Sequence, residues 1–391
     1  MDITHVITRL IVGGAQENTV SSVLGLRRTP GLRVDLISGP TTGPEGTLEP
    51  VFDDHPGCLT VIPDLIRPVR PLADLRAYRA LFRRFRATRP DIVHTHSGKA
   101  GFVGRLAAYR AGVPCVVHTI HGPSFGPFQG AGANTAFTLA ERLAGRVTDH
   151  FVVVADAMTR QYLEAGIGRP DQYTRIFSGF DLDPYLSTTR DPELGRRLGL
   201  GPDDIVVGMV ARLFELKGHD DLFALAPALV KRHPRLKFLL VGDGPWRGRF
   251  EARAQEPDLR GRVVFSGLVP PSVVPSMVGQ MDLLIHLSRR EGLPRALPQA
   301  LAAGRPVVAY DCDGSGEVCL EGRTGFLVPP GNLDRLEDCL EKLIRDPGLR
   351  ERLGGAGREW VSERFRVETM VAALATLYER LGRRGGRPRA R

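Results

Sequence analysis

Short β-branched and aliphatic runs alternate with amphipathic stretches along most of the chain. Strands of a parallel sheet are buried on both faces and read as continuous apolar runs, whereas the helices joining them carry a 3.6-residue period. In the first half, Ile3–Thr8, Arg33–Ile37, Ile92–Thr95, Cys115–Thr119 and Phe151–Val154 predict strands, with helices over Val20–Leu26 and Asp74–Arg86. In the second half, strands are predicted over Ile205–Val210, Phe238–Val241, Val263–Phe265, Leu283–His286, Val307–Ala309 and Phe326–Val328. Helical segments fall near 219–232, 273–281 and 296–303. Helical spacing continues through Leu333, Leu336, Leu340 and Leu343, then through Trp360, Phe365, Met370, Leu374 and Leu377.

This pattern predicts an α/β chain of two doubly wound halves. The expected boundaries are a Rossmann-like domain at 1–181, a linker rich in Pro, Gly and charge at 182–203, and a second Rossmann-like domain at 204–363. The remaining 364–391 is expected to hold a helix packed back on the first domain and a basic tail. Two such domains facing each other across a cleft bind ligands outside the carboxyl ends of their strands, so chemistry is expected just after strands.

At 391 residues the chain has room for two domains, and 42% hydrophobic with 25% charged residues is a globular balance that excludes disordered and collagen-like classes. No apolar run approaches the ~18 residues of a membrane span. The opening MDITHVITRLIVGG places His5 and Arg9 where a signal peptide needs an apolar core, so a cytoplasmic chain is expected. Cys58, Cys115, Cys312, Cys319 and Cys339 form no C-x-x-C pair and are expected as reduced thiols.

The net charge of +9 is localised. Eight Arg face the single acid Asp74 between Arg67 and Arg89, and six Arg without an acid fill Arg380–Arg391, leaving the remainder mildly acidic. No nucleic-acid partner is expected. The segment around Asp74–Arg86, with Leu72, Leu75, Leu81, Phe82 and Phe85 on its apolar side, has two readings. One is a core-packed helix with a solvated Arg face. The other is a surface meeting anionic lipid headgroups through Arg76, Arg79, Arg83 and Arg84, on the inner face of the membrane.

Four places after strands carry candidate chemistry. Gly13 and Gly14 precede a helix whose free N–H groups suit an anion, or form a tight turn that binds nothing. His94 and His96 share a strand face, and His118 and His121 end the next strand. They read as a polar wall for sugar or phosphate, or as the ligands of a metal-dependent hydrolase. No Asp/Glu cluster with ligand spacing accompanies them, and no metal is expected. Lys99 opens the following helix and suits a phosphate or stays on the surface. Arg212 and Lys217 flank a helix start and form a candidate diphosphate cradle. Glu291, in SRREGLPRALPQ, sits just before a helix expected to begin near Arg295–Ala296, with Pro298 in its first turn and Gln299 on the ligand side. Asp311-Cys312-Asp313 reads as turn chemistry, and Gly242-Asp243-Gly244 is a poor match to a dinucleotide fingerprint.

Together these stretches resemble the family 4 glycosyltransferases, retaining nucleotide-sugar transferases of the GT-B fold. The resemblance runs from the Gly-Gly loop to the last helices. EGLPRALPQALAAGRPVVAYDCDGSGEV and RTGFLVPPGN are similar to the family's Glu, seven residues, Glu, A-x-G-x-P-V-V and T-G-x-L-V. VARLFELKG is similar to its G-R-L…K-G, FLLVGDGP to its strand before G-x-G, and IFSGFD to its N-G-x-D. HTHSGKAG and HTIHG resemble the acceptor-domain segments.

The resemblance implies two facing Rossmann-like domains and sugar transfer to a glycan or lipid-linked acceptor, in cell-surface polysaccharide or glycolipid synthesis. The donor would be a UDP-sugar or GDP-mannose, and no cofactor or metal would be needed. Arg212, Lys217 and Gly14 would hold the donor diphosphate. Glu291 would bind the transferred sugar, and Gly292, Leu293, Pro294 and Gln299 the sugar and nucleotide. His121 would lie near the anomeric centre, and Gly13, His96 and Lys99 on the acceptor side. Glu317 matches the family's later Glu. Gln299 replaces the signature's second Glu, so a charge-assisted contact becomes a neutral one. Ala211 and Ser178 replace a Gly and an Asn. The alternatives are a nucleotide-sugar epimerase of the same fold, a hydrolase using His94, His96, His118 and His121, and a donor-binding module that lost catalysis through Gln299.

Overall fold

The computed structural model describes residues 1–42, 46–126 and 128–383; the tail from Arg384 lies outside the described residues. The chain forms two compact units, one built from Met1–Gly179 and the segment from Val367 onward, the other from Phe180–Arg366.

The first unit is a parallel sheet of seven strands: β1 (Asp2–Val6), β2 (Arg33–Ser38), β3 (Leu59–Val61), β4 (Ile92–His96), β5 (Cys115–Ile120), β6 (His150–Val153) and β7 (Tyr173–Arg175). Their order is β3-β2-β1-β4-β5-β6-β7, so the direction of winding reverses between β1 and β4. One face, with Ile3, Leu36, Ile92 and Val117, is covered by helices Gly14–Arg27 and Val367–Arg383. The other face, with Val6, Ile37, Val93 and Val116, is covered by helices Pro71–Thr88 and Gly98–Ala111. The helix Gly98–Ala111 has no clean apolar period because Gly101 and Gly104 admit strand side chains. A Cβ at Gly101 would lie 2.5 Å from the His118 ring, and one at Gly104 2.9 Å from Thr95.

The second unit is a parallel sheet of six strands: β8 (Ile205–Val210), β9 (Leu236–Val241), β10 (Val263–Gly267), β11 (Leu283–His286), β12 (Val307–Tyr310) and β13 (Gly325–Val328). The order β10-β9-β8-β11-β12-β13 reverses between β8 and β11. Segment 182–203 belongs to this unit and is not slack chain. It contains short helices Asp183–Leu186 and Pro192–Arg197, and Asp191 caps the latter by accepting from Glu193 and Leu194 N–H at 2.8 and 3.2 Å. The Pro, Gly and charge of that stretch are helix caps and turns.

The Arg-rich helix differs from its expected apolar side. Ala73, Ala77, Leu81 and Phe85 form the buried stripe, whereas Leu72 and Leu75 are 74% and 43% exposed. Those two leucines instead share the solvent side with Arg76, Arg79, Arg83 and Arg86. All five cysteines are free thiols, four of them buried. Among the described residues no helix is long and apolar enough to cross a membrane.

The last helix closes the first unit through Met370, Leu374, Leu377, Tyr378 and Leu381, all buried. Each such side chain contributes about 1.5–3 kcal/mol of burial free energy. Gly25 lets helix Gly14–Arg27 approach it, since a Cβ there would lie 2.4 Å from Val371 Cγ2. Gly25→Ala should therefore lower stability by about 1–3 kcal/mol through overpacking, measured as a shift of the first urea unfolding midpoint. An unshifted midpoint would mean the helices part without cost.

Candidate active site

Polar side chains collect at the carboxyl end of each sheet. In the second unit the chain leaves β8 through Ala211 and Arg212, makes a 3₁₀ turn over Glu215–Lys217, and enters helix His219–Arg232. Gly218 makes this possible. Its φ is +74°, and a Cβ there would stand 2.2 Å from the Leu287 carbonyl oxygen. The loop after β8 can thus lie against the end of β11, where Arg289 N–H donates to Leu216 O at 2.9 Å. On the other side, Gly242 and Gly244 fit under the carbonyls of Ala211 and Leu213, and Leu213 N–H donates to Asp243 O at 3.1 Å. These glycines brace the Arg212 loop.

The approach of the two loops assembles a charged group. Lys217 Nζ donates to Glu291 Oε1 at 2.5 Å and to Ser288 Oγ at 3.4 Å. His286, the last residue of β11, brings Nε2 to 3.2 Å from the same Oε1. Glu291 N–H donates to Asp313 Oδ2 at 2.7 Å, and Gly314 N–H to Gly292 O at 3.1 Å, so the loops after β11 and β12 are joined. Asp313 adopts a left-handed φ of 48° while making this bond. Burial by itself would raise the Glu291 carboxyl, but the His286 hydrogen bond and the Lys217 ammonium outweigh it and hold the group well below the usual carboxylate range. Glu291 is a fixed anion that can accept from hydroxyl groups.

Arg212 is exposed, its guanidinium 5.8 Å over the Phe214 ring, and it makes no salt bridge among the described residues. Gly292 and Leu293 keep N–H groups with no partner among the described residues, and Pro294 has none to offer. The helix Ala296–Ala302 begins where expected, with Pro298 in its first turn. The buried Gln299 side chain makes no hydrogen bond among the described residues. Glu317 ends the 3₁₀ turn Asp313–Glu317 and is half-buried.

In the first unit, Gly13 is extended and Gly14 is the exposed first residue of a 14-residue helix. Glu17 N–H returns to Gly13 O, which leaves the N–H groups of Gly14, Ala15 and Gln16 outside the helical ladder. Lys99 is not free: it pairs with Asp74 and donates to the Pro68 carbonyl, with 12% of its side chain exposed. It holds the loop before helix Pro71–Thr88 in place.

The histidines divide. His94 and His96 lie on one face of β4, as their spacing predicts, and His121 packs against His96 with its Nε2 3.1 Å from His96 Nδ1. His118 points to the opposite face and bonds Thr95 Oγ1 at 2.9 Å. The place expected for it is taken by His5, opposite His94 in the β1–β4 register. The four-histidine hydrolase site is therefore not assembled. His121 is half-buried. Burial holds His5 near 3, His121 near 4, and His94, His96 and His118 well below 6.5, so the rings are uncharged at neutral pH.

Sequence reasoning missed His5, His286, Asp313 as a support for Glu291, and Tyr378. A polar residue inside an apolar strand run was the available signal for both missed histidines.

Comparison with known proteins agrees with this organisation. The family described as Glycosyl transferase 4-like domain matches residues 13–178, and Glycosyl transferases group 1 matches 191–360. The chain is 30% identical to a GDP-mannose-dependent alpha-(1-6)-phosphatidylinositol monomannoside mannosyltransferase of Mycolicibacterium smegmatis, over 72% of this chain and 73% of that protein. It is 27% identical to an Escherichia coli UDP-Gal:alpha-D-GlcNAc-diphosphoundecaprenol alpha-1,3-galactosyltransferase, over 78% and 79%. Anabaena HepE, solved in complex with UDP, superposes with a TM-score of 0.81 over 97% of this chain and 100% of that one, at 24% identity. The chain belongs to the family 4 glycosyltransferases and has their GT-B fold class, two Rossmann-like domains with parallel sheets. It is a glycosyltransferase of the hexosyltransferase type, and the epimerase and hydrolase readings find no support.

The depressed Glu291 carboxyl carries a stability signature. A carboxyl with a lowered folded-state pKa stabilises above its ordinary value of 4.5, and that contribution is lost as pH falls below it. Glu291→Gln should be less stable than the wild type at neutral pH and lose less on acidification below 4.5, measured by urea unfolding across pH. Parallel stability curves for the two proteins would contradict the ion-pair assignment.

Proposed function

We propose that this enzyme moves a hexose from a nucleoside-diphosphate sugar to a hydroxyl of a glycan or lipid-linked acceptor, with retention at the anomeric carbon and without a divalent metal. The observation that carries the reading is the convergence of Arg212, Lys217 and Glu291 on loops stitched together at the carboxyl ends of β8 and β11. Arg212 and Lys217 would neutralise the leaving diphosphate, with Arg212 able to contact two oxygens at once. Glu291 would accept hydrogen bonds from the sugar, and the free N–H groups of Gly292 and Leu293 would face sugar or phosphate. Gln299 would hold the ribose hydroxyls through its amide. Gly14, with Gly13 before it, offers N–H groups to phosphate or acceptor, and His121 with His96 lines the sugar side as neutral imidazoles. Lys99 acts at one remove from the acceptor, through the loop that it holds.

In this mechanism the bond from the anomeric carbon to the diphosphate oxygen breaks on the face that the acceptor oxygen enters. The acceptor proton passes to the departing phosphate oxygen. The named donors of the relatives, UDP-galactose and GDP-mannose, and their lipid-linked acceptors support this substrate class.

We further propose that the solvent side of helix Pro71–Thr88 rests on anionic lipid at the cytoplasmic face. Arg76 and Arg84 pair with Asp64 and Asp35, whereas Arg79 and Arg83 are exposed without a salt bridge among the described residues, in line with exposed Leu72 and Leu75.

Two measurements test these readings. Wild-type enzyme offered UDP-sugars and GDP-mannose with lipid-diphosphate glycan acceptors should give product of the donor's own anomeric configuration, at a rate unchanged by EDTA. Product of inverted configuration, or loss of activity with the chelator, would overturn the mechanism. Arg79→Gln with Arg83→Gln should weaken binding to phosphatidylserine-containing vesicles by about 2 kcal/mol, near 1 kcal/mol per charge. Unchanged sedimentation with those vesicles would leave the helix as a core element with a solvated face.

A further inference from the structure

We propose that Tyr378, on the last helix, is a positioning residue that fixes the tautomer of His121 through a chain of hydrogen bonds passing through His5 and His96. His121 Nε2 lies 3.1 Å from His96 Nδ1, His96 Nε2 2.9 Å from His5 Nδ1, and His5 Nε2 3.2 Å from the Tyr378 hydroxyl. The hydroxyl also meets His94 Nδ1 at 2.5 Å, and His94 Nε2 meets Thr119 Oγ1 at 2.6 Å. His5, His94, His96 and Tyr378 are at most 1% exposed, so water does not replace a missing partner. The nitrogens of His5, His94 and His96 lie within 4.8 Å of one another, but each is already engaged in this chain.

A neutral imidazole has one N–H and one bare nitrogen, so two adjoining rings must agree on who donates. Such a chain has only two self-consistent directions, and the phenol, with one proton for two histidines, selects between them. In the direction proposed here Tyr378 donates to His94 Nδ1, His94 Nε2–H donates to Thr119 Oγ1, and His5 Nε2–H donates to the phenol oxygen. It follows that His96 Nε2–H donates to His5 Nδ1 and His121 Nε2–H donates to His96 Nδ1. His121 Nδ1, which has no partner among the described residues, is left as a bare acceptor. It would take a hydrogen bond from a substrate hydroxyl. The opposite tautomer would present an N–H to that same hydroxyl and compete with it as a donor.

The catalytic consequence rests on the glycosyltransferase site proposed above, whereas the tautomer does not, and the two are read separately. Full-length protein labelled with ¹⁵N-histidine should show His121 as a single Nε2–H tautomer in long-range ¹H–¹⁵N spectra. Tyr378→Phe should convert it to a mixture and lower kcat about 10-fold, as loss of an orienting partner does at other histidine sites, with the donor KM unchanged. Leu374→Ala, which loosens the same helix without touching the chain, should leave the tautomer unmixed. His96→Gln should release it although Tyr378 is intact. A mixed or Nδ1–H tautomer in the wild type, or a His121 signal indifferent to Tyr378→Phe, would overturn the proposal. Absence of sugar transfer by the wild type would count against the transferase site and leave the tautomer result standing.

Discussion

The approach of one loop to another at Gly218 is the constraint from which the charged site follows. A side chain at that position would collide with the Leu287 carbonyl and would have to adopt a positive φ. With glycine there, Leu216 O receives the Arg289 N–H, and Lys217 is carried to within hydrogen-bond distance of Glu291. Both side chains are mostly buried, so removing one charge strands the other, while the pair as a whole does little more than offset its own desolvation. Its value is geometric. The pair holds a carboxylate and an ammonium side by side at the point where the sheet changes winding direction, where each can exchange its partner for a ligand. Asp313 acts in the same sense from the next loop by fixing the backbone of Glu291 and leaving its side chain to Lys217 and His286.

Most of the fold was legible because parallel strands are apolar along their whole length. Every strand predicted from an apolar run is present, each bound within two residues. The strands Leu59–Val61 and Tyr173–Arg175 were missed because three residues carry no period. The helix Gly98–Ala111 was expected only as the one that Lys99 opens, without an extent, because its glycines answer to contacts with Thr95 and His118 rather than to an apolar period. Leu72 and Leu75 were assigned to the core because amphipathicity was counted from leucines. The actual stripe runs through two alanines, Leu81 and Phe85, and small residues contribute little to such a count.

The site was legible where chemistry lay within one loop and illegible where it depended on register. Arg212, Lys217 and Glu291 stand next to strand ends and announce themselves by charge. Lys99 looked equally good by that criterion, yet the loop before helix Pro71–Thr88 brings Asp74 and a carbonyl to it. His118 was grouped with His121 by proximity in sequence, but strand alternation sends it through the sheet, and the pairing of β1 with β4 supplies His5 in its stead. Nothing in the spacing of the last helix distinguishes Tyr378 from its apolar neighbours.

The two sheets answer the same physical problem in different ways. Polar groups at the end of an apolar strand lose hydration, and an ionised group there needs a counter-charge, whereas a neutral one needs only complementary donors and acceptors. The second unit uses charge, with Glu291 kept ionised against burial by Lys217 and His286. The first unit uses neutral groups, with burial pushing the histidines far below the range in which they would ionise near neutrality. An ion pair can reorganise around a ligand, because each charge attracts whatever partner comes near. A chain of neutral imidazoles cannot reverse one bond without reversing all of them, so it holds a direction. The first arrangement suits groups that exchange partners, and the second suits rings whose donors and acceptors keep fixed roles.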